Sequence, residues 1–142
     1  MNIKIKRILH SLGIGAGALV VGTVIYAAIE NRIAHINDQT ALNNYFQDNK
    51  LALVEFYDPE CPVCNAFKKA KIFPHAADAL PHIGFAMVSK VEGSDLHHKN
   101  RIEYFPTFIY FKDGKEFKRT VGYSDEASFI HGISAAFAQD KG

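Results

Sequence analysis

The sequence contains very little cysteine, no tryptophan and almost no excess of charge of either sign. Two cysteines stand in 142 residues, at positions 61 and 64, whereas a disulfide-stapled scaffold needs more cysteines at wider separations. The formal net charge of +1 lacks the positive excess that nucleic-acid-binding proteins carry. These shortages argue against a disulfide framework and predict no nucleic-acid partner. Two cysteines placed this closely indicate redox chemistry or metal binding.

The sequence does have enough apolar residues to form one globular core. Hydrophobic residues make up 48% and charged residues 22% of the chain. A chain of 142 residues holds one compact domain of roughly 100–120 residues plus an appendage.

The N-terminus carries the longest apolar run. Residues 8–29 contain no Asp, Glu, Lys or Arg, and as a helix they extend roughly 33 Å, enough to cross a bilayer core. Lys4, Lys6 and Arg7 precede the run, and the positive-inside rule then keeps the N-terminus in the cytoplasm. We therefore expect residues 1–30 to be a single-pass anchor in the inner (cytoplasmic) membrane. The rest of the chain is expected in the periplasm or at the cell exterior.

A cleaved signal peptide is the alternative interpretation of this run. Cleavage requires small residues at positions −3 and −1, but Ile25 precedes Ala27 and Tyr26 precedes Ala28 at that spacing. The stretch 16–18 fits the pattern but leaves too short an apolar segment before it. The pattern favours an uncleaved signal-anchor.

Residues 31–37 are expected to be a short polar connector, and residues 38–142 a folded domain. Periodicity and turn signals predict alternating helices and strands in this domain. The predicted elements are a helix capped by Asp38, a strand at 51–57, a helix starting at Cys61 and breaking near Pro74, a strand at 82–88, a helix at 94–100, strands at 107–111 and 116–121 joined by an Asp113-Gly114 hairpin, and a helix capped by Ser124. This order predicts an α/β fold with a mixed central sheet and helices on both faces.

The Cys61-Pro62-Val63-Cys64 motif carries the predicted chemistry. A first cysteine at a helix N-terminus lies beside unpaired backbone N–H groups, which favour the thiolate. The second cysteine lies one turn along, within reach of an intramolecular disulfide. Cys61 is thus the predicted nucleophile, with a moderately lowered pKa, and Cys64 the resolving thiol. A moderate shift favours a reductase or interchange catalyst over a strong oxidant.

A metal site and a purely structural packing role are the competing interpretations of the cysteine pair. Zinc needs two further ligands, and the separation of His75 from His82 does not fit the usual ligand spacing. The adjacent His97 and His98 point in different directions on a helix. All four histidines are expected at the surface, and neither a metal nor a cofactor is predicted.

Three segments together resemble the thioredoxin superfamily. They are the stretch 54–64 (VEFYDPECPVC), Phe105-Pro106-Thr107, and the stretch 111–115 (FKDGK), and the resemblance spans roughly residues 38–140. The stretch 64–69 (CNAFKK), followed by Phe73 and Gly122-Tyr123, is most similar to the C-terminal domain of DsbD-type thiol:disulfide interchange proteins.

The resemblance implies a thioredoxin-like fold and further site residues. Pro106 matches the family's cis-proline, and Phe105, Pro106 and Thr107 are the implied substrate-binding residues. Glu55 matches a buried acid that assists proton transfer at the resolving thiol. The alternatives are a trans proline that starts a strand and a glutamate that faces water at a strand edge.

The sequence also departs from the family pattern at three positions. Glu60 stands where many members have tryptophan, and Lys69 stands where a kink proline is common. Met87 replaces the lysine that often pairs with the buried acid. These differences bear on the redox potential and on proton transfer.

The predicted function is thiol–disulfide exchange between the dithiol and disulfides of exported proteins. The implied partners are protein disulfide or dithiol substrates and a redox partner that recycles the cysteine pair. A different class of function is a thioredoxin-like binding or metal-holding module tethered to the membrane.

Overall fold

The computed structural model describes residues 32–139 of the chain, which form five strands and five helices. In chain order they are β1 (Ile33–His35), α1 (Gln39–Asp48), β2 (Leu51–Tyr57), α2 (Pro62–Lys69), α3 (Ile72–Ala79), β3 (Gly84–Ser89), α4 (Ser94–Lys99), β4 (Thr107–Lys112), β5 (Lys115–Val121) and α5 (Glu126–Gln139). The predicted anchor at residues 8–29 lies outside the described residues. Within residues 32–139, no helix is long and apolar enough to span a membrane.

The strands form one mixed sheet, as the sequence predicts, and their order is β1-β3-β2-β4-β5. Strands β1 and β2 pair in parallel with β3, whereas β4 pairs antiparallel with both β2 and β5. The expectation of a mere connector at 31–37 is wrong for residues 33–35, because Ile33 aligns with Phe85 in the sheet. Three residues are too few to show an alternating pattern.

Helices cover both faces of the sheet, also as predicted. Alternate side chains of β2 point to opposite faces. The face under α2, α3 and α5 is packed with large apolar side chains, namely Leu53, Phe67, Phe73, Phe85, Phe108, Phe129 and Ile133. The face under α1 and α4 is packed with smaller ones, namely Leu42, Val54, Phe56, Ala86, Val88, Leu96 and Ile109. The sheet is therefore buried on both sides, which suits its nearly continuous apolar strands.

The helix that follows the cysteines ends earlier than expected. The break lies at Lys71, in the left-handed conformation with φ 57°, rather than at Pro74. Pro74 occupies the third position of α3, where its missing N–H needs no partner within the helix. Two short helices thus replace one kinked helix.

The turns follow the local chemistry of the sequence. Asp113 and Gly114 both have positive φ, at 50° and 73°, as a type I′ hairpin turn requires. The last helix is capped by Asp125, whose carboxylate accepts a hydrogen bond from the Ser128 N–H at 2.9 Å. The prediction that Ser124 caps this helix is therefore one residue off.

Candidate active site

The sheet topology brings the cysteine loop and the proline loop together. Strand β2 leads into the cysteines, and β4 starts directly after the proline. Because these strands are antiparallel neighbours, with Phe56 opposite Thr107, the end of one lies beside the start of the other. The two loops therefore meet at one edge of the sheet, although more than 40 residues separate them along the chain.

Cys61 lies directly before α2, at the position that caps the helix N-terminus. Its Sγ accepts a hydrogen bond from the Cys64 N–H at 3.5 Å, and its own N–H donates to the Asp58 carbonyl oxygen at 3.0 Å. Pro62 occupies the first helical position, where the absent N–H costs nothing. This is the arrangement that the sequence predicts.

The pKa of Cys61 is lowered. Partial burial raises it, but hydrogen bonds from the Cys64 N–H and thiol and from the Val63 N–H together outweigh that effect. The negative charge of Asp58 opposes the shift. The direction agrees with the expectation for a thiol at a helix N-terminus.

Cys64 has the opposite character. Only 3% of the residue is exposed, and this burial raises its pKa to about 12. A hydrogen bond from the Asp58 backbone lowers the pKa, whereas interactions with the Cys61 and Glu55 side chains raise it further. Both cysteines are free thiols in this structure. The pair thus combines an accessible thiol that ionises readily with a shielded thiol that holds its proton.

Glu55 is buried in β2, with 2% of the residue exposed, which rules out the strand-edge glutamate facing water. Burial raises its pKa to about 8, while the charge of Lys68 partly offsets this shift. Oε2 has no hydrogen-bond partner within residues 32–139. Met87 lies beside Glu55 in the sheet, so Lys68 on α2 supplies the nearby positive charge that Met87 does not.

A groove of about 670 Å³ reaches Glu55 from the surface. Its lining mixes apolar side chains with lysines and other polar groups, namely Ile33, His35, Glu55, Tyr57, Asn65, Phe67, Lys68, Lys69, Lys71, Phe73, Pro74 and Met87. Part of this lining comes from β1 and from the break between α2 and α3. The groove gives solvent a route toward the buried carboxyl group.

The proline loop faces Cys61. The Phe105–Pro106 bond is cis, as the sequence resemblance implies, and the alternative of a trans bond is wrong. The Cys61 thiol lies 3.8 Å from the Phe105 carbonyl oxygen, within reach of a weak S–H hydrogen bond. The Thr107 hydroxyl donates to the Tyr104 carbonyl oxygen at 2.7 Å, and the Gly122 N–H donates to the Pro106 carbonyl oxygen at 2.8 Å.

Three residues near Phe105 make contacts that the sequence does not predict. His97 was expected at the surface, but only 6% of it is exposed, and its Nε2 lies 3.1 Å from the Val88 carbonyl oxygen. Lys90 Nζ forms an ion pair with Asp58 at 2.8 Å and lies 5.2 Å from the centre of the Phe105 ring. His97 and Lys90 belong to no motif, and Asp58 has no predicted role within the stretch 54–64, so only the fold reveals these contacts.

The other histidines considered as metal ligands lie elsewhere. His75 Nδ1 is 3.1 Å from the carboxylate of Glu126, and His82 is exposed. Residues 32–139 contain no cluster of three or more His, Cys, Asp or Glu side chains that could hold a metal ion.

Comparison with known proteins identifies the family. Residues 33–135 match the sequence model of the family described as thioredoxin. Thioredoxin H-type 1 of Nicotiana tabacum is 34% identical over 88 residues, which cover 59% of this chain and 68% of that protein. Thioredoxin of Chlamydia trachomatis is 32% identical over 84 residues, covering 59% of this chain and 80% of that protein.

Solved thioredoxin structures share the fold. The oxidised mitochondrial thioredoxin 3 of Saccharomyces cerevisiae superposes with a TM-score of 0.65 at 20% identity, covering 75% of this chain and 98% of that one. The thioredoxin of Fasciola hepatica superposes with a TM-score of 0.64 at 25% identity, covering 72% and 97%. Since the family match spans nearly all of the described residues, this chain belongs to the thioredoxin family, and its chemistry is thiol–disulfide exchange by the Cys61–Cys64 pair.

Proposed function

We propose that this protein is a membrane-anchored oxidoreductase that exchanges electrons with the disulfides of exported proteins, acting as a reductase or interchange catalyst. The observation that carries the proposal is the opposite behaviour of the two thiols. The pKa of Cys61 is lowered, and that of Cys64 is raised to about 12. A difference of this sign suits a nucleophile followed by a resolving group.

In the reducing direction the steps follow from these properties. The Cys61 thiolate attacks one sulfur of the substrate disulfide, and the other substrate sulfur leaves as a thiolate. Cys64 then loses its proton and attacks Cys61 Sγ, which releases the second substrate thiolate. Once both substrate thiolates have taken up protons, the substrate is a dithiol and the Cys61–Cys64 pair is a disulfide. A separate dithiol partner must reduce the pair again.

Glu55 is the proposed proton carrier for Cys64. With a pKa of about 8, its protonated and ionised forms are both populated near neutral pH. The ionised form can accept the proton of Cys64, and the protonated form can return it in the reverse direction. The groove beside Glu55 gives water a path along which this proton reaches solvent.

Phe105, Pro106 and Thr107 are the proposed substrate-binding residues. The loop faces Cys61, with the Phe105 carbonyl oxygen next to the thiol. An extended substrate segment can therefore pair with the Phe105 backbone while its disulfide reaches Cys61. The Pro106 carbonyl already accepts from Gly122, which fixes this loop against the end of β5.

The membrane location of the protein is proposed from the sequence alone. Residues 8–29 supply the apolar length of a single-pass helix, and the preceding basic residues favour an N-terminus in the cytoplasm. The catalytic domain then lies in the periplasm or at the cell exterior, where disulfide-bonded proteins occur.

The finer resemblance to the C-terminal domain of DsbD-type interchange proteins belongs to the same proposal. It is supported by the stretch 64–69 and by Gly122-Tyr123. These two segments meet in the fold, because the Phe67 and Tyr123 rings lie 4.7 Å apart.

Substrate trapping tests the proposed reaction. A Cys64→Ser variant should accumulate mixed disulfides with exported proteins, because Cys61 still attacks but nothing resolves the bond. The Cys61→Ser variant is the matched control and should trap nothing. Equal trapping by both variants, or by neither, contradicts the assigned roles.

Two measurements test direction and location. The reduction potential should lie nearer to thioredoxin, at about −270 mV, than to the strong oxidant DsbA, at about −120 mV. A maleimide that does not cross membranes should label Cys61 in spheroplasts, in which the cytoplasmic membrane is intact but the layers outside it have been opened. Full-length protein found in the soluble fraction after lysis would contradict the anchor.

A further inference from the structure

The Phe105 ring contacts two side chains that the reaction scheme does not use. One is the His97 ring, with 5.6 Å between ring centres. The other is Lys90, whose ammonium group lies 5.2 Å from the ring centre, a distance at which a cation is attracted to an aromatic face. Phe105 is also the residue whose carbonyl oxygen faces the Cys61 thiol.

His97 is fixed in place more firmly than packing alone requires. Because the Val88 carbonyl can only accept, Nε2 must carry the hydrogen of the 3.1 Å bond between them. The edge-to-face contact with Phe56, at 5.2 Å, holds the ring from another side. Nδ1 is buried with no hydrogen-bond partner among the described residues, a cost that an apolar side chain would avoid. Packing alone therefore does not explain why a histidine occupies this buried position.

The neutral form of His97 suits this place. Burial lowers its pKa, the charge of Lys90 lowers it further, and the bond to the Val88 carbonyl and the charge of Asp58 raise it. An uncharged ring can pack between Phe56 and Phe105 without a counter-ion, which a protonated ring would need.

Lys90 connects Phe105 to the cysteine loop. Its ammonium group contacts the Asp58 carboxylate at 2.8 Å. The Asp58 carbonyl oxygen accepts from the Cys61 N–H at 3.0 Å, and the Asp58 carboxylate accepts from the Glu60 N–H at 2.9 Å. The Phe105 ring is thus linked to the backbone of the attacking cysteine through two side chains.

We propose that His97 and Lys90 form a clamp that positions Phe105, and thereby its backbone, for binding extended disulfide substrates. Both are positioning residues, since they act through Phe105 and do not touch the reacting sulfurs. The inference rests on the proposed pairing of substrate with the Phe105 backbone. A small disulfide without a peptide backbone needs only the Cys61 thiolate, so its reduction should not depend on the clamp.

The test compares two substrates on the full-length protein. One is a disulfide-linked extended peptide without acidic or histidine side chains, so that Lys90 cannot attract it directly. The other is hydroxyethyl disulfide, which is neutral and has no backbone. The clamp variants are His97→Leu, His97→Gln and Lys90→Gln, and the matched controls are His98→Leu and Lys99→Gln, at exposed neighbours on α4.

The KM for the peptide should rise roughly fivefold in His97→Leu and in Lys90→Gln, as expected for the loss of about one hydrogen bond to substrate. The kcat/KM for hydroxyethyl disulfide should stay unchanged when it is measured at a pH at which Cys61 is fully ionised in every variant, because Lys90→Gln leaves the Asp58 charge unpaired near Cys61. His97→Gln keeps a donor for the Val88 carbonyl, so its KM for the peptide should rise less than that of His97→Leu. The controls should match the wild type with both substrates.

Failure of the clamp is distinguishable from failure of the proposed function. If all variants reduce both substrates like the wild type, or if their activity falls equally with both substrates, the clamp is overturned while thiol exchange stands. If the wild type reduces hydroxyethyl disulfide but not the peptide, the proposed substrate pairing is wrong. Lys90 is largely exposed, so Lys90→Gln decides the question by itself if the His97 variants do not fold.

Discussion

Replacing Glu55 with glutamine should remove a pH dependence of stability that this residue imposes. The folded pKa is about 8, whereas the ordinary value is 4.5. Below about pH 4.5 the carboxyl group is protonated in both states and costs nothing. Between about pH 4.5 and pH 8 the unfolded chain releases the proton and the folded chain keeps it, so stability falls as the pH rises. Above about pH 8 the loss is complete.

The magnitude follows from the difference in pKa. Each pKa unit corresponds to about 1.4 kcal/mol, so the full effect approaches roughly 5 kcal/mol, against a typical domain stability of about 5–15 kcal/mol. Glu55→Gln cannot ionise and should lose this slope. Its amide also needs hydrogen-bond partners in a buried site, which adds a penalty that does not vary with pH.

Urea unfolding of the reduced protein at several pH values measures the effect. The quantity of interest is the stability of Glu55→Gln minus that of the wild type, which should increase by several kcal/mol between about pH 5 and pH 8. Taking this difference cancels the contribution of His97, whose lowered pKa makes stability rise with pH over its own titration range. Glu60→Gln, at an exposed position beside Cys61, is the control for replacing a glutamate with glutamine, and the same difference is measured for it. A difference that stays constant with pH would refute the reasoning, because Glu55 would then ionise equally in both states.

Two further outcomes test the site and the core. At neutral pH an alkylating reagent should modify Cys61 first, because its pKa is lowered and it is accessible, and should reach Cys64 only after unfolding; peptide mapping by mass spectrometry checks the order. Phe67→Ala should lower the free energy of unfolding by about 3–5 kcal/mol, since the ring is fully buried among aromatic neighbours. The exposed Val91→Ala is the control for that measurement and should change stability by less than about 0.5 kcal/mol.

The parts of the site that the sequence predicts depend on local chemistry. Cys61 at the helix start, Pro62 at its first turn and the Asp113-Gly114 hairpin each require only a few neighbouring residues, and each is found where expected. The resemblance to the family implies that Glu55 is a buried acid, and its burial is confirmed. Local predictions of this kind hold in the structure because the backbone geometry that these residues favour is the geometry that the fold has.

The parts that the sequence does not predict depend on distant partners. Residues 33–35 form strand β1 because they pair in parallel with β3, some 50 positions further along the chain. His97 is buried because its ring nitrogen reaches the Val88 carbonyl and its ring meets Phe105. Lys68 influences Glu55 only because α2 lies over β2. Single-residue patterns carry no information about such pairings.

Strand β1 also bears on how far the domain can travel. If the proposed membrane helix covers residues 8–29, only three residues separate it from β1, and a chain of three residues spans no more than about 11 Å. A connection of that length would hold the domain against the bilayer surface and limit its rotation. The disulfides that Cys61 attacks, and the dithiol that regenerates the pair, would then have to approach within a thin layer next to the membrane.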